Sequence, residues 1–182
     1  GLVLSVAMCL YVLIEVNYPS LGFQGALAVF AMLGLVLCFL YYPLHPKLQG
    51  NAIARAFDLV LIALTIVTCG YILVQTDQIF KSFGIDGQSL GDRAGLVVNA
   101  DFWMGLIGLI IVLEGTRRSI GWALPILSLV SIAYAWFGPH LPNFLFPHSG
   151  MDAYQIVADT YLKDGIFGIA LNVMFKYIFL FV

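Results

Sequence analysis

The sequence has few charged residues: only 10% of its 182 positions are Asp, Glu, Lys or Arg, whereas 62% are hydrophobic. An average soluble domain is roughly a quarter charged and about half apolar. A soluble globule of this length cannot bury so much apolar surface, so lipid must solvate part of it. The net charge is -2 and the basic residues are scattered. This composition excludes the basic surface that nucleic-acid binding requires, so we expect no nucleic-acid partner.

Signatures of metal binding are also lacking. The three cysteines, Cys9, Cys38 and Cys69, lie in apolar runs without a Cys-x-x-Cys pair, which predicts small packing residues. The sequence contains no His-Glu-x-x-His, its three histidines lie in predicted loops, and the two carboxylates of any acid/base pair would lie on different loops. We therefore predict a protein that is not an enzyme, with no catalytic, cofactor-binding or metal site.

Long apolar runs dominate the sequence, and a run of about 20 residues can cross a bilayer as a helix. The runs are continuous and do not alternate in polarity, which favours helices over a barrel. We predict an all-α, polytopic transmembrane helix bundle of about six spans. The spans are residues 1–16, 23–42, 58–75, 95–113, 120–137 and 165–182. The chain begins and stops inside apolar runs, so we interpret it as part of a longer protein.

The loop charges predict an orientation. Lys47 and Arg55 follow the second span, and Arg117 and Arg118 follow the fourth, in short loops. The alternate loops are longer and carry an excess of Asp. Because basic loops are retained in the cytoplasm, we place the start of the first span there and the acidic loops outside.

Residues 151–163 interrupt the apolar pattern. Ser149 or Asp152 can cap a helix start here, and apolar residues recur at helical spacing: Tyr154, Val157, Ala158 and Tyr161. The pattern predicts a short amphipathic helix, for which two interpretations stay open. It is either an interfacial helix at the outer membrane surface or a packed connector.

Two charged groups have a possible role beyond packing. Glu114 can pair with Arg117 or Arg118, either as a positive-inside anchor or as a fixed joint that docks on another part of the chain. Lys176 lies in the last apolar run with Asn172 four residues earlier on the same face. Placing an ammonium in lipid costs about 2.5–3.5 kcal/mol. Lys176 therefore either snorkels, packs inside the protein or serves transport, and Lys176 and Asn172 are the candidate functional residues.

Glycines on the fourth span predict close helix contact. Gly105 and Gly108 leave a narrow notch, and small residues allow membrane helices to approach each other closely. The notch predicts a packed bundle without identifying a family.

An ordered set of motifs resembles one transporter family. The motifs are Phe39-Leu-Tyr-Tyr-Pro43, Asp58 at the third span, Glu114-Gly-Thr-Arg-Arg118, Gly121-Trp-Ala-Leu-Pro125, Ala133-Tyr-Ala-Trp-Phe-Gly-Pro139, Leu141-Pro142, Asp164-Gly-Ile-Phe-Gly-Ile169 and Tyr177-Ile-Phe-Leu-Phe181. Together they resemble the fused permease of tripartite ATP-independent periplasmic (TRAP) transporters, in its TAXI-type branch. The chain departs from the family at Ala170, Asn172, Met174 and Lys176, where Pro, Gly, Ser and Thr are common.

The resemblance implies a multi-pass permease of the bacterial cytoplasmic (inner) membrane. Residues 1–118 would be a four-helix, small-subunit-like scaffold and residues 119–182 the start of the large transport subunit. The permease would import organic acids with sodium as coupling ion, without ATP hydrolysis. Its partners would be the lipid bilayer, a periplasmic solute-binding protein and the rest of the large subunit. Substrate and sodium sites are expected downstream, so no binding residue is transferred to this chain.

A second hypothesis is a membrane protein of another class, such as a lipid-modifying enzyme or a non-transport scaffold. An enzyme would need polar side chains that converge at one membrane face, and the sequence shows no such cluster. Paired Gly/Ser/Pro interruptions in later spans would favour the transporter.

Overall fold

A computed structural model of the chain describes residues 2–42, 52–77, 80, 98–140, 146, 148–163 and 165–179. The described residues contain helices and no strand, which confirms the prediction of an all-α chain for this part. The helices are α1 (Leu2–Asn17), α2 (Phe23–Tyr41), α3 (Ala52–Thr76), α4 (Asn99–Ser119), α5 (Ala123–Trp136), a 3-10 turn (Gly138–His140), α6 (Ala153–Val157) and α7 (Ile169–Val173). Single π-helical turns, Ala158–Leu162 and Met174–Ile178, extend α6 and α7.

Three of the predicted spans correspond to helices long and apolar enough to cross a membrane: Phe23–Tyr41, Ile53–Thr76 and Asn99–Ser119. The third helix begins six residues before its predicted span, at Ala52, and therefore includes Arg55 and Asp58. The fourth continues to Ser119, beyond the predicted end at Leu113, because Glu114 and the two arginines that follow pair within the helix.

The remaining predicted spans are shorter than a full crossing in the described residues. Leu2–Asn17, Ala123–Trp136 and Ile169–Ile178 are apolar but have only 16, 14 and 10 residues. A turn at Gly121, whose φ is +103°, delays the start of α5, and the 3-10 turn at Gly138 follows its end. The sixth span was predicted from residue 165, but a turn occupies residues 165–168 and the helix begins at Ile169.

The first four helices alternate in direction, as the contacts at their two ends show. At one end Tyr42, after α2, and Asp58, near the start of α3, contact Arg118 at the end of α4. At the opposite end Gly22, before α2, contacts Asp77, after α3. The predicted loop charges at Lys47, Lys81, Asp86, Asp92 and Arg93, together with His45, lie outside the described residues.

The segment predicted to be amphipathic is helical, and Asp152 occupies its N-cap position as expected. Of its predicted apolar face, Val157, Ala158 and Tyr161 are buried, whereas Tyr154 is 40% exposed. An ideal Cβ at Gly108 would lie 2.0 Å from the Tyr161 ring. The segment therefore fills the predicted glycine notch of α4. This contact favours the packed connector over the helix lying free at the membrane surface.

The π turn after α7 packs across the first two helices. The Phe175 ring lies 6.2 Å from that of Tyr11 and 5.2 Å from that of Phe30, and the Phe179 ring lies 5.5 Å from that of Phe30. These rings join the main core, which also includes Val12, Leu27, Ile72 and Tyr161. The packing brings Lys176 close to the turn between α1 and α2.

Candidate functional site

Arg118 forms a buried joint between three helices. Its side chain is 1% exposed and its Nη1 donates to Asp58 Oδ1 at 2.6 Å and to the carbonyl oxygen of Tyr42 at 3.2 Å. Its Nε donates to Glu114 Oε1 at 2.8 Å. The guanidinium carbon lies 5.1 Å from the centre of the Phe39 ring. A buried guanidinium with two carboxylate partners fixes the relative positions of α2, α3 and α4.

Arg117 completes the charge cluster at this end. Its Nε and Nη2 donate to the two oxygens of Glu114 at 2.8 and 2.7 Å, and its guanidinium lies 5.3 Å from the centre of a Trp122 ring. Of the two sequence interpretations, the contacts of Arg118 with Tyr42 and Asp58 fit the joint that docks on another part of the chain. Arg118 Nη2 is buried and finds no hydrogen-bond partner among the described residues.

Buried carboxylates close the opposite end. Glu15, 5% exposed, accepts hydrogen bonds from the amide nitrogens of Ser20 and Leu21 at 3.0 and 2.9 Å, and from the Ser20 hydroxyl at 2.7 Å. Asp77 accepts from the amide of Gly22 at 2.9 Å, just before α2 begins. Glu15 thus satisfies amides of the α1–α2 turn, and Asp77 satisfies the amide of the N-cap residue of α2.

Asp101 plays the same role at the start of α4. It accepts from the Tyr71 hydroxyl and, at 3.1 Å, from the amide of Val98, and it is 1% exposed. Sequence reasoning missed the structural use of Glu15 altogether. A glutamate at the end of an apolar run, just before the Asn17–Ser20 turn, was the available signal.

The structure places both predicted candidate residues in one pocket. Asn172 and Lys176 line a cavity of about 170 Å³ whose other walls include Glu15, Pro19 and Phe23. Asn172 Oδ1 is buried without a hydrogen-bond partner among the described residues. Lys176 lies in the π turn after α7 and is exposed. The pocket therefore combines an ammonium, an amide and a carboxylate at the acidic end of the bundle.

The size of this pocket limits what it can hold. A water molecule takes about 30 Å³ of liquid volume, so the cavity holds a few waters or one small polar molecule. Both oxygens of Glu15 already accept hydrogen bonds from the α1–α2 turn. Within the described ranges, no group of three His, Cys, Asp or Glu side chains is placed to hold a metal ion.

Replacing Asn172 with Leu should raise stability by about 1 kcal/mol, because a buried carbonyl oxygen without a partner costs about 1–3 kcal/mol. The measurement is the melting temperature of the purified protein in detergent. The matched variant Asn17→Leu should not be stabilised, because Asn17 is exposed and donates to the carbonyl of Leu13 at 2.7 Å. A clear loss of stability in Asn172→Leu would show that a partner satisfies this oxygen in solution.

The cysteines are free thiols, and His148 makes structural contacts. Cys69 is buried, Cys38 is half-buried and Cys9 is exposed, all with free thiols. His148 Nδ1 accepts from the amide of Gly150 at 3.1 Å, and its ring lies 5.0 Å from that of Tyr134. His148 therefore holds the chain after α5, and its Nε2 is buried without a partner in the described part.

Comparison with protein-family models, with curated proteins and with solved structures finds no match to this chain. The support for a function therefore comes from the ordered sequence motifs and from the contacts that their residues make in the folded chain.

Proposed function

We propose that this chain is the scaffold and the first part of the transport subunit of a secondary permease that works with a binding protein. The permease imports organic acids and is driven by a sodium gradient. In this proposal α1 to α4 form the small-subunit-like scaffold, residues 1–118, and the helices after it begin the large subunit. The proposal includes about six membrane crossings in the bacterial inner membrane.

One observation carries the proposal: separate motifs that carry the sequence resemblance meet at Arg118. Phe39 and Tyr42 belong to the motif after the second span, Asp58 to the third helix and Glu114 to the motif of Arg118 itself. All four contact the Arg118 guanidinium. Because these residues depend on one shared contact with Arg118, a protein that has one of the motifs has a structural reason to have the others. A joint of this kind suits a scaffold, because it fixes helices against which other parts move.

The direct test is uptake by the full-length protein. Cells that express it should accumulate a radiolabelled organic acid only when both sodium and the periplasmic binding protein are present. We expect replacement of sodium by potassium, or omission of the binding protein, to reduce uptake to the level of cells without the permease. Uptake that needs ATP instead of a sodium gradient would contradict the proposal.

The distribution of arginines between the bundle ends supports the proposed orientation. The three arginines that the structure describes, Arg55, Arg117 and Arg118, lie at one end, together with Asp58 and Glu114, whereas Glu15, Asp77 and Asp101 lie at the other. Because basic residues are retained in the cytoplasm, the proposed outer side is the one that carries the α1–α2 turn and residues 148–152. The solute-binding protein would meet this outer side.

Cysteine labelling tests the orientation. Ser149 and Ser119 are both exposed and lie toward opposite ends of the bundle. A maleimide that cannot cross membranes should label Ser149→Cys from outside intact cells, and Ser119→Cys only after permeabilisation. Cys9, Cys38 and Cys69 should be replaced by Ala in both variants. Labelling of Ser149→Cys only after permeabilisation would reverse the orientation.

A further inference from the structure

A second cavity lies between α4, α5 and the π turn after α6. Its volume is about 440 Å³, within the range of pockets that take small organic ligands. Most of its wall is apolar, but five polar residues line it: Thr116, Ser128, Ser131, Asp159 and Thr160. The α4 part of the wall is the second half of a helix able to cross a membrane. A carboxylate beside such a helix segment is rare without a function.

Three of the hydroxyl groups that line this cavity can only accept a hydrogen bond from a ligand. Thr116 donates to the carbonyl of Val112 at 2.8 Å, and Ser128 and Ser131 donate to the carbonyls of Leu124 and Leu127 at 3.0 Å each. A hydroxyl has a single proton, so these three oxygens have only lone pairs left for a ligand. The cavity therefore favours a molecule that donates hydrogen bonds.

Asp159 adds a negative charge that already holds an ammonium. Its Oδ1 accepts from Lys163 Nζ at 2.8 Å, and no described residue bonds its Oδ2. The two side chains are 42% and 45% exposed. Because the Asp159 side chain is only partly covered, a ligand ammonium can reach its carboxylate and take the place of Lys163.

We propose that this cavity binds a small amphiphilic primary amine. The ligand ammonium pairs with Asp159 and donates to the hydroxyl oxygens, and its hydrocarbon chain lies against Leu109, Val112 and Leu127. A ligand of the same size with a carboxylate instead of an ammonium would be repelled by the negative charge of Asp159 and by the hydroxyl oxygens. This site is separate from the Asn172–Lys176 pocket and does not depend on the proposed transport function.

Titration calorimetry on the full-length protein in detergent, with hexylammonium chloride as the probe, tests the site. The heat of titrating the probe into detergent alone is subtracted. We expect saturable binding of hexylammonium and none of hexanoate or hexanol. Asp159→Asn should weaken binding by about tenfold or more, because it removes a charge-assisted hydrogen bond. Lys163→Gln should strengthen binding by about twofold, because it removes the tethered competitor.

Asp152→Asn is the matched control, since Asp152 is an exposed carboxylate of the same segment that does not line the cavity. It should leave hexylammonium binding unchanged. The proposal is overturned if hexanoate binds as tightly as hexylammonium, or if Asp159→Asn binds hexylammonium as tightly as the native protein. Hexylammonium binding by Lys163→Gln that is unchanged or weaker would also overturn the proposal. This second test remains valid even if Asp159→Asn fails to fold.

Discussion

Arg118→Met should lower the free energy of unfolding by about 2–4 kcal/mol, the largest effect that we expect from a single charged residue in this chain. The change leaves Asp58 and Glu114, both about one-fifth exposed, without their shared cation. The Tyr42 carbonyl also loses its contact with the guanidinium. Arg118→Lys should recover only part of the loss, because an ammonium cannot reproduce the fixed geometry of a guanidinium.

The matched control is Arg117→Met, which removes the same charge from the neighbouring position. Arg117 is 22% exposed, and among the described residues it forms ion pairs only within its own helix, with Glu114, so we expect a loss of at most about 1 kcal/mol. Both variants should be compared by thermal unfolding of the purified protein in detergent. Equal losses for Arg117→Met and Arg118→Met would contradict a joint that depends on Arg118.

Gly108→Ala should destabilise the protein by about 2–3 kcal/mol, because a Cβ at this position would overlap the Tyr161 ring. The added atom would lie 2.0 Å from the ring carbon Cζ. Tyr161 is almost fully buried and contacts the Phe167 ring, so it has little room to move aside. We therefore expect α6 and its π turn to separate from α4.

Gly70→Ala is the control for this prediction. Gly70 also lies within a helix, but a Cβ there would meet nothing within 4 Å. Because alanine favours helix more than glycine does, Gly70→Ala should be neutral or stabilise by up to about 1 kcal/mol. In the double variant Gly108→Ala with Tyr161→Leu, the losses should be less than additive, since both changes act on one contact. Additive losses would show that Gly108 does not pack against Tyr161.

Much of the helical structure could be predicted from the sequence, because a long continuous apolar run is typical of a helix that lies in a non-aqueous environment. The runs identified α1 to α5, and the spacing of Val157, Ala158 and Tyr161 identified the helix before the last run. The errors lie at the helix ends. Apolar content did not reveal that Glu114 and Arg117 extend α4, or that the turn at residues 165–168 delays α7.

Only two residues of the candidate pocket, Asn172 and Lys176, could be predicted from the sequence. Asn172 and Lys176 share a helix face, which spacing along the chain reveals. Glu15 joins them from the other end of the chain, where no local pattern points to Lys176. The acceptor-lined cavity at Asp159 likewise combines three separate helices, so its residues showed no common signal in the sequence.

The sequence by itself determined that the chain is helical and apolar enough to need lipid, because both properties depend on composition and local periodicity. The tertiary structure alone decided which charges meet. It pairs Arg118 with Asp58, 60 positions away, and places Lys176 in the pocket that Glu15 also lines. Such pairings depend on how two helix faces fit together, as the face with Gly108 fits the Tyr161 ring. The sequence of one segment alone does not determine how it fits another.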